Sequence, residues 1–99
     1  MAHSVTLGWV ASPDLTNPPA AGSGYNVYRS QTPGAEAAPP LNSSLVTSLT
    51  YDDTTVSGGQ TYDYVVTAVS TAGVESVHSV EAQAKVPLSP PTGLTAVAA

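Results

Sequence analysis

The chain contains no cysteine, so neither disulfides nor thiol chemistry can take part in its fold or function. Cations are nearly as scarce. Arg29 and Lys85 are the only two in 99 residues, against seven carboxylates, and the net charge is −5. That balance argues against a nucleic acid or an anionic membrane as partner, because both are met by clustered Lys and Arg. No apolar run approaches membrane-spanning length, and no secretory leader is legible at the N-terminus. Met1 reads as a start residue set before a fragment, and the export signal of a secreted parent is expected outside it. Only 9% of residues are charged, while small hydroxyl residues abound, a usage that suits an extracellular or cell-surface protein.

What the chain does have is valine, threonine, serine and tyrosine, punctuated by nine prolines and eight glycines. This is β-rich usage with frequent turns, in a length that fits one domain with a single modest core. Residues 4–11 alternate, with Val5, Leu7 and Trp9 on one face and Thr6 and Gly8 on the other. A Pro- and Gly-rich loop over 12–24 follows, then a strand over Tyr25–Ser30 with Tyr25 and Val27 inward and Tyr28 beside solvent. Gln31–Pro40 reads as a connection, Leu41–Val46 and Thr50–Asp53 as short strands, and Ser57–Gln60 as a turn. The longest strand runs Thr61–Ser70, with Tyr62, Tyr64, Val66 and Ala68 on one face. Thr71–Glu75 then forms a hairpin turn before a last strand over Val77–Val86. Six or seven short strands with turn signals every 8–12 residues indicate a β-sandwich.

The segments Val5-Thr6-Leu7-Gly8-Trp9, Gly24-Tyr25-Asn26-Val27-Tyr28-Arg29 and Val56 to Val69 carry a resemblance. Over residues 3–86 the chain resembles a bacterial fibronectin type III domain. The resemblance implies an all-β, immunoglobulin-like sandwich of about seven antiparallel strands. Its core would include Trp9, Tyr25, Val27, Tyr62, Tyr64 and Val66. Tyr62 falls on the family's tyrosine corner, where the phenol bonds a backbone group upstream, here near Val56.

One departure concerns strand order. The family's opening strand, introduced by Pro-Pro-Thr-Gly, is absent from the N-terminus, and its sequence stands at residues 90–97. The chain therefore divides into a body (3–86), a proline-containing linker (87–91) and a first-strand segment (92–99) belonging to a following module. Donated to a neighbouring molecule, that segment would bring Leu94, Ala96 and Val97 against the edge carrying Val5 and Leu7. Donation is heterologous and so leads to filaments, rings or swapped dimers. A disordered linker and a docking onto the chain's own body remain the other two fates.

Chemistry finds little purchase. The carboxylates Asp14, Glu36, Asp52, Asp53, Asp63, Glu75 and Glu81 show no spacing that sets two across a sugar cleft, and no nucleophile elbow is present. Asp63 and Glu81 read as outward-facing or border positions. His3 and His78 lie too far apart in the strand order to converge on a metal, and Asp52 and Asp53 point to opposite faces. Asn42-Ser43-Ser44 matches the N-glycosylation pattern, a short motif common by chance. The turn at 71–75 has no Arg-Gly-Asp. Trp9 and the tyrosines read as core, leaving Tyr28 and Tyr51 as the surface aromatics.

The resulting expectation is a non-catalytic spacer in a secreted or surface multidomain bacterial protein. It has no cofactor, and its partners are copies of itself or adjacent tandem modules. Two alternatives stand beside it: a module binding a glycan or protein weakly through loops 12–24 and 71–76, and an accessory domain to a polysaccharide-degrading enzyme.

Overall fold

A computed structural model describes residues 3–99. Five strands make two antiparallel sheets: β1 (Val5–Gly8) pairs with β3 (Thr50–Asp53), while β2 (Gly24–Ser30), β4 (Thr61–Val69) and β5 (Ala82–Lys85) form the order β2-β4-β5. The chain is thus all-β, with two sheets packed face to face as a sandwich. Val27, Val56, Tyr62, Tyr64 and Val86 form the buried centre, and Val5, Leu7, Trp9, Val46, Tyr51 and Val66 pack around it half-buried.

Alternation explains why these segments pair as they do. In β1, Val5 and Leu7 face the core opposite Asp53 and Tyr51 of β3, while Thr6 and Gly8 face solvent. In β4 the central position of the strand leaves both faces covered, so five of its first seven residues are fully buried. The Tyr62 hydroxyl accepts the Ser57 N–H at 2.9 Å, tying the turn before β4 to the strand itself.

The segment Leu41–Val46, which the sequence pattern assigns to a strand, contributes only an isolated bridge, Tyr25–Val46. The expected strand Val77–Val86 is shortened to β5, with a second isolated bridge, Val69–Glu75, at the end of the turn before it. Side chains explain both. Beside β2, the Asn42 side chain takes the Val27 N–H at 2.8 Å where a strand would have offered a carbonyl. Beside β4, Ser76 and Ser79 bond Ala68 and Val66 through both backbone and hydroxyl. The Ser76 and Ser79 N–H groups reach the Ala68 and Val66 carbonyls at 2.8 and 3.0 Å. In return their Oγ atoms accept the Ala68 and Val66 N–H groups, each at 2.9 Å. Three residues therefore span what two span on β4, which is a bulge.

Beyond Val86 the chain runs out exposed and joins neither sheet. It accounts for a long axis of 72 Å against 26 and 21 Å across.

Candidate functional site: the open flank of the sandwich

The two sheets are unequal, and the shorter one is open along β1. Trp9 N–H donates to the Leu49 carbonyl at 3.0 Å, on the β3 side. By alternation, the N–H and C=O of Thr6 and Gly8 point to the other side, where no strand lies among the described residues. Facing that edge across the sandwich is the bulged segment 76–80. The bulge turns Val77 and Val80 into solvent, at 89% and 93% exposure.

Between the edge and the bulge runs an apolar cleft in two parts. One, of about 190 Å³, is lined by Leu7, Trp9, Tyr64, Val66, Val80 and Ala82, among others. The other, of about 170 Å³, lies between Trp9, Tyr25, Val66 and Val77. Trp9 borders both. Its ring meets Tyr25 edge-on with centroids 5.5 Å apart, and its Nε1 is buried with no hydrogen-bond partner. The open cleft is the reason Trp9 and Val66 are half-buried, while Tyr25, Val27, Tyr62 and Tyr64 are fully buried.

Leu94 and Val97 stand 94% and 93% exposed in the tail, and Ala96 is exposed between them. Val5 and Leu7 lie half-buried in β1, at the other end of the molecule's chain but beside the open edge. No contact joins the two groups within one chain.

Three polar clusters hold the rest of the sandwich. Asp53, at the end of β3, accepts from Tyr64 Oη at 2.7 Å and from Arg29 Nη1 at 2.8 Å. Its other oxygen takes the Thr55 N–H and hydroxyl. Burial opposes ionisation of Asp53, but the bonds from Thr55, Tyr64 and Arg29 outweigh it and hold the carboxyl below the usual carboxylate range. Burial and the Asp53 bond push the Tyr64 phenol up. Arg29 also lies over the Tyr62 ring, 4.9 Å from its centroid.

Glu75 forms the second cluster, accepting from Thr67, Tyr28 and Asn26. The Thr67 and Tyr28 bonds hold it below the usual range despite some burial. Here the structure corrects the placement of Tyr28, which is only 6% exposed. The turn carrying Glu75 and His78 folds over the outer face of β2, and the His78 ring stacks 5.5 Å from that of Tyr28. Tyr51 likewise is half-buried against the core.

In the third cluster, Asp63 and Glu36 are buried and Glu81 is exposed. Asp63 stands on the outer face of β4 yet is buried, because the 31–40 loop and the Gln83 side chain lie over it. Gln83, its cross-strand partner, donates to Asp63 Oδ1 at 3.1 Å. Glu81 Oε2 receives the Gly34 N–H at 2.8 Å, anchoring the loop. Burial and a hydrogen bond with Glu81 push the Glu36 carboxyl above its usual range, and that same bond holds Glu81 below. One oxygen of Glu36 and one of Asp63 are buried without a partner.

His3 and His78 lie apart, each with its own neighbour: Ser89 Oγ at 3.0 Å from His3 Nε2, and the Tyr28 ring for His78. Among the described residues no three His, Asp or Glu side chains are grouped to hold a metal ion. The Asn42 side-chain nitrogen is committed to Asn26 Oδ1 and the Ser44 carbonyl at 2.8 and 3.0 Å, so a glycan there would break the clasp beside β2. Loops 12–24 and 70–76 do meet, around a hollow of about 250 Å³ whose rim includes Ser12, Asp14, Leu15, Ser70 and Glu75. No aromatic ring lines it for a sugar to stack on.

No protein-family model matches the chain. Its architecture is shared with the crystal structure of an Fn3-like protein from Clostridium thermocellum. That structure is 36% identical, superposes with a TM-score of 0.60 and is matched over 89% of this chain and 81% of that one. The chain belongs to the Fn3-like family. It is also 39% identical over 79 residues to exoglucanase B of Cellulomonas fimi. The match takes in 79% of this chain but spans only 6% of the length of that enzyme. Within the described residues no helix is long and apolar enough to cross a membrane.

Proposed function

We propose that this chain is a non-catalytic spacer module of a secreted or surface polysaccharide-degrading protein. One observation carries the reading: the stretch it matches in exoglucanase B is 6% of that enzyme, the size of a single accessory module. The build of the sandwich supports it. Three of its seven carboxylates are engaged in internal bonds, Asp53 to Arg29 and Tyr64, Glu75 to Tyr28 and Thr67, Asp63 to Gln83. In its natural setting such a module meets copies of itself or adjacent modules end to end, and the segment 92–99 of one supplies a strand to the next.

The test is to incubate the purified chain with soluble and insoluble glucans, following both release of reducing sugar and depletion of protein from solution. The spacer reading expects neither hydrolysis nor saturable binding. Hydrolysis would contradict it. Saturable binding lost on replacing loop 12–24 or 71–76 would transfer the function to the hollow between those loops.

A further inference from the structure

We infer that the open flank beside β1 is a docking seat for residues 92–98 of a second copy of this chain, entering antiparallel to β1. Resting on the end-to-end arrangement proposed for the module, this docking adds a seat, a direction and an exclusion of self-docking.

The seat is built for an extended strand. Thr6 and Gly8 present ladder groups along an edge that the described residues leave unpaired, and a two-stranded sheet is short of the three strands that independent stability calls for. The cleft beneath is apolar, bordered by Leu7, Trp9, Val66 and Val80. Its one orphaned polar atom, Trp9 Nε1, is a donor awaiting an acceptor that an incoming backbone carries.

The occupant has the matching pattern. Leu94 and Ala96 are two apart and share a face, so both enter the cleft together, while Thr95 and Val97 take the opposite face. Leu94 is exposed in the free chain, and covering such a side chain is among the larger apolar gains a short strand can make. Setting Leu94 opposite Trp9 places Ala96 opposite Leu7. Thr95 and Val97 then oppose Gly8 and Thr6, the two residues with free ladder groups. Parity agrees on both faces.

The chain's own tail cannot take this seat. Ser89 Oγ lies 3.0 Å from His3 Nε2, so the tail leaves the body at the pole where β1 begins. An antiparallel strand must instead start opposite Trp9, six residues along, or about 20 Å away. In that register the five residues from Ser89 to Leu94 must cover the gap, and fully extended they reach only about 17 Å. A second molecule has no such restriction.

The experiment uses full-length chains and the absence of native cysteine. Thr6→Cys chains are mixed with Val97→Cys chains and oxidised, and the mixture is compared with Thr6→Cys plus Leu94→Cys, whose thiols would point to opposite faces. In parallel, the fluorescence of Trp9, the single tryptophan, is followed with protein concentration. The docking expects a Thr6–Val97 disulfide dimer as the main oxidised product, little product from the Leu94 mixture, and a blue shift of Trp9 emission as concentration rises. Linkage through Leu94→Cys instead would overturn the facing. Mass that grows with concentration while Thr6 and Val97 stay unlinked would overturn the seat and leave end-to-end association standing. A monomer with neither link nor spectral shift would overturn the docking altogether and leave the spacer assignment untouched.

Discussion

Tyr64 donates its hydroxyl to Asp53 Oδ2 across 2.7 Å, and with that bond the centre of the three-stranded sheet is joined to the end of the two-stranded one. Arg29, on β2, reaches the same oxygen at 2.8 Å. The shorter sheet is thus held to the longer by a charge-assisted tie as well as by the apolar core, and such bonds are roughly twice as strong as neutral ones.

Tyr64→Phe removes the donor but keeps the ring. It is expected to lower stability by about 1–3 kcal/mol, because a buried carboxylate oxygen loses a bond it cannot recover from water. Urea unfolding followed by Trp9 fluorescence gives the value, and an unchanged midpoint would show that Arg29 alone suffices.

Stability should pass through a maximum on the mildly acidic side of neutrality. Glu36 has its carboxyl raised by burial and by its bond to Glu81, so its ionised form carries a cost that is relieved as pH falls through its raised folded value. Asp53 and Glu75 are held low. Their contributions are present above the usual carboxylate range and are lost as pH falls further, through their folded values. The relief therefore comes first on acidification and the loss second. Melting temperature measured across pH should rise and then fall.

Glu36→Gln isolates the first of these effects. An amide keeps the shape, can donate to Glu81, and carries no charge to bury. The variant is expected to be more stable than the parent at neutral pH by about 1 kcal/mol, or about 4–8 °C in Tm for a domain of this size. Its mildly acidic rise should disappear while the decline at lower pH remains.

Gly24→Ala tests the irregular edge beside β2. A Cβ there would stand 2.6 Å from the Val46 carbonyl oxygen, so the 45–46 segment must move off its bridge to Tyr25. Overpacking of this kind costs about 1–3 kcal/mol. Hydrogen exchange at the Tyr25 and Val46 amides, which bond each other's carbonyls at 2.9 Å, should speed up before the rest of the sheet is affected.

The sandwich is legible in the sequence because alternation at Val5, Leu7, Trp9 and along Tyr62, Tyr64, Val66 is a direct print of a half-buried surface. What periodicity cannot show is cover supplied by irregular chain. Tyr28 and Asp63 sit on faces that alternation assigns to solvent, yet the Glu75–His78 turn and the 31–40 loop lie over them. Equally invisible are side chains that stand in for backbone in a ladder. Asn42, Ser76 and Ser79 do so, and the segments around them accordingly form bridges in place of strands. The Asp53–Tyr64–Arg29 tie joins three strands far apart in sequence, and nothing in the local spacing of those residues points to it.

The open flank beside β1 and its filling by a strand from another copy set how this module associates. Solution mass by light scattering across a concentration series, for the full chain beside Leu94→Asp, tests it most directly. Mass rising with concentration in the full chain, and constant at one 9.9 kDa chain in the Leu94→Asp variant, is the expected result. A constant monomer for both, or equal growth for both, would contradict it.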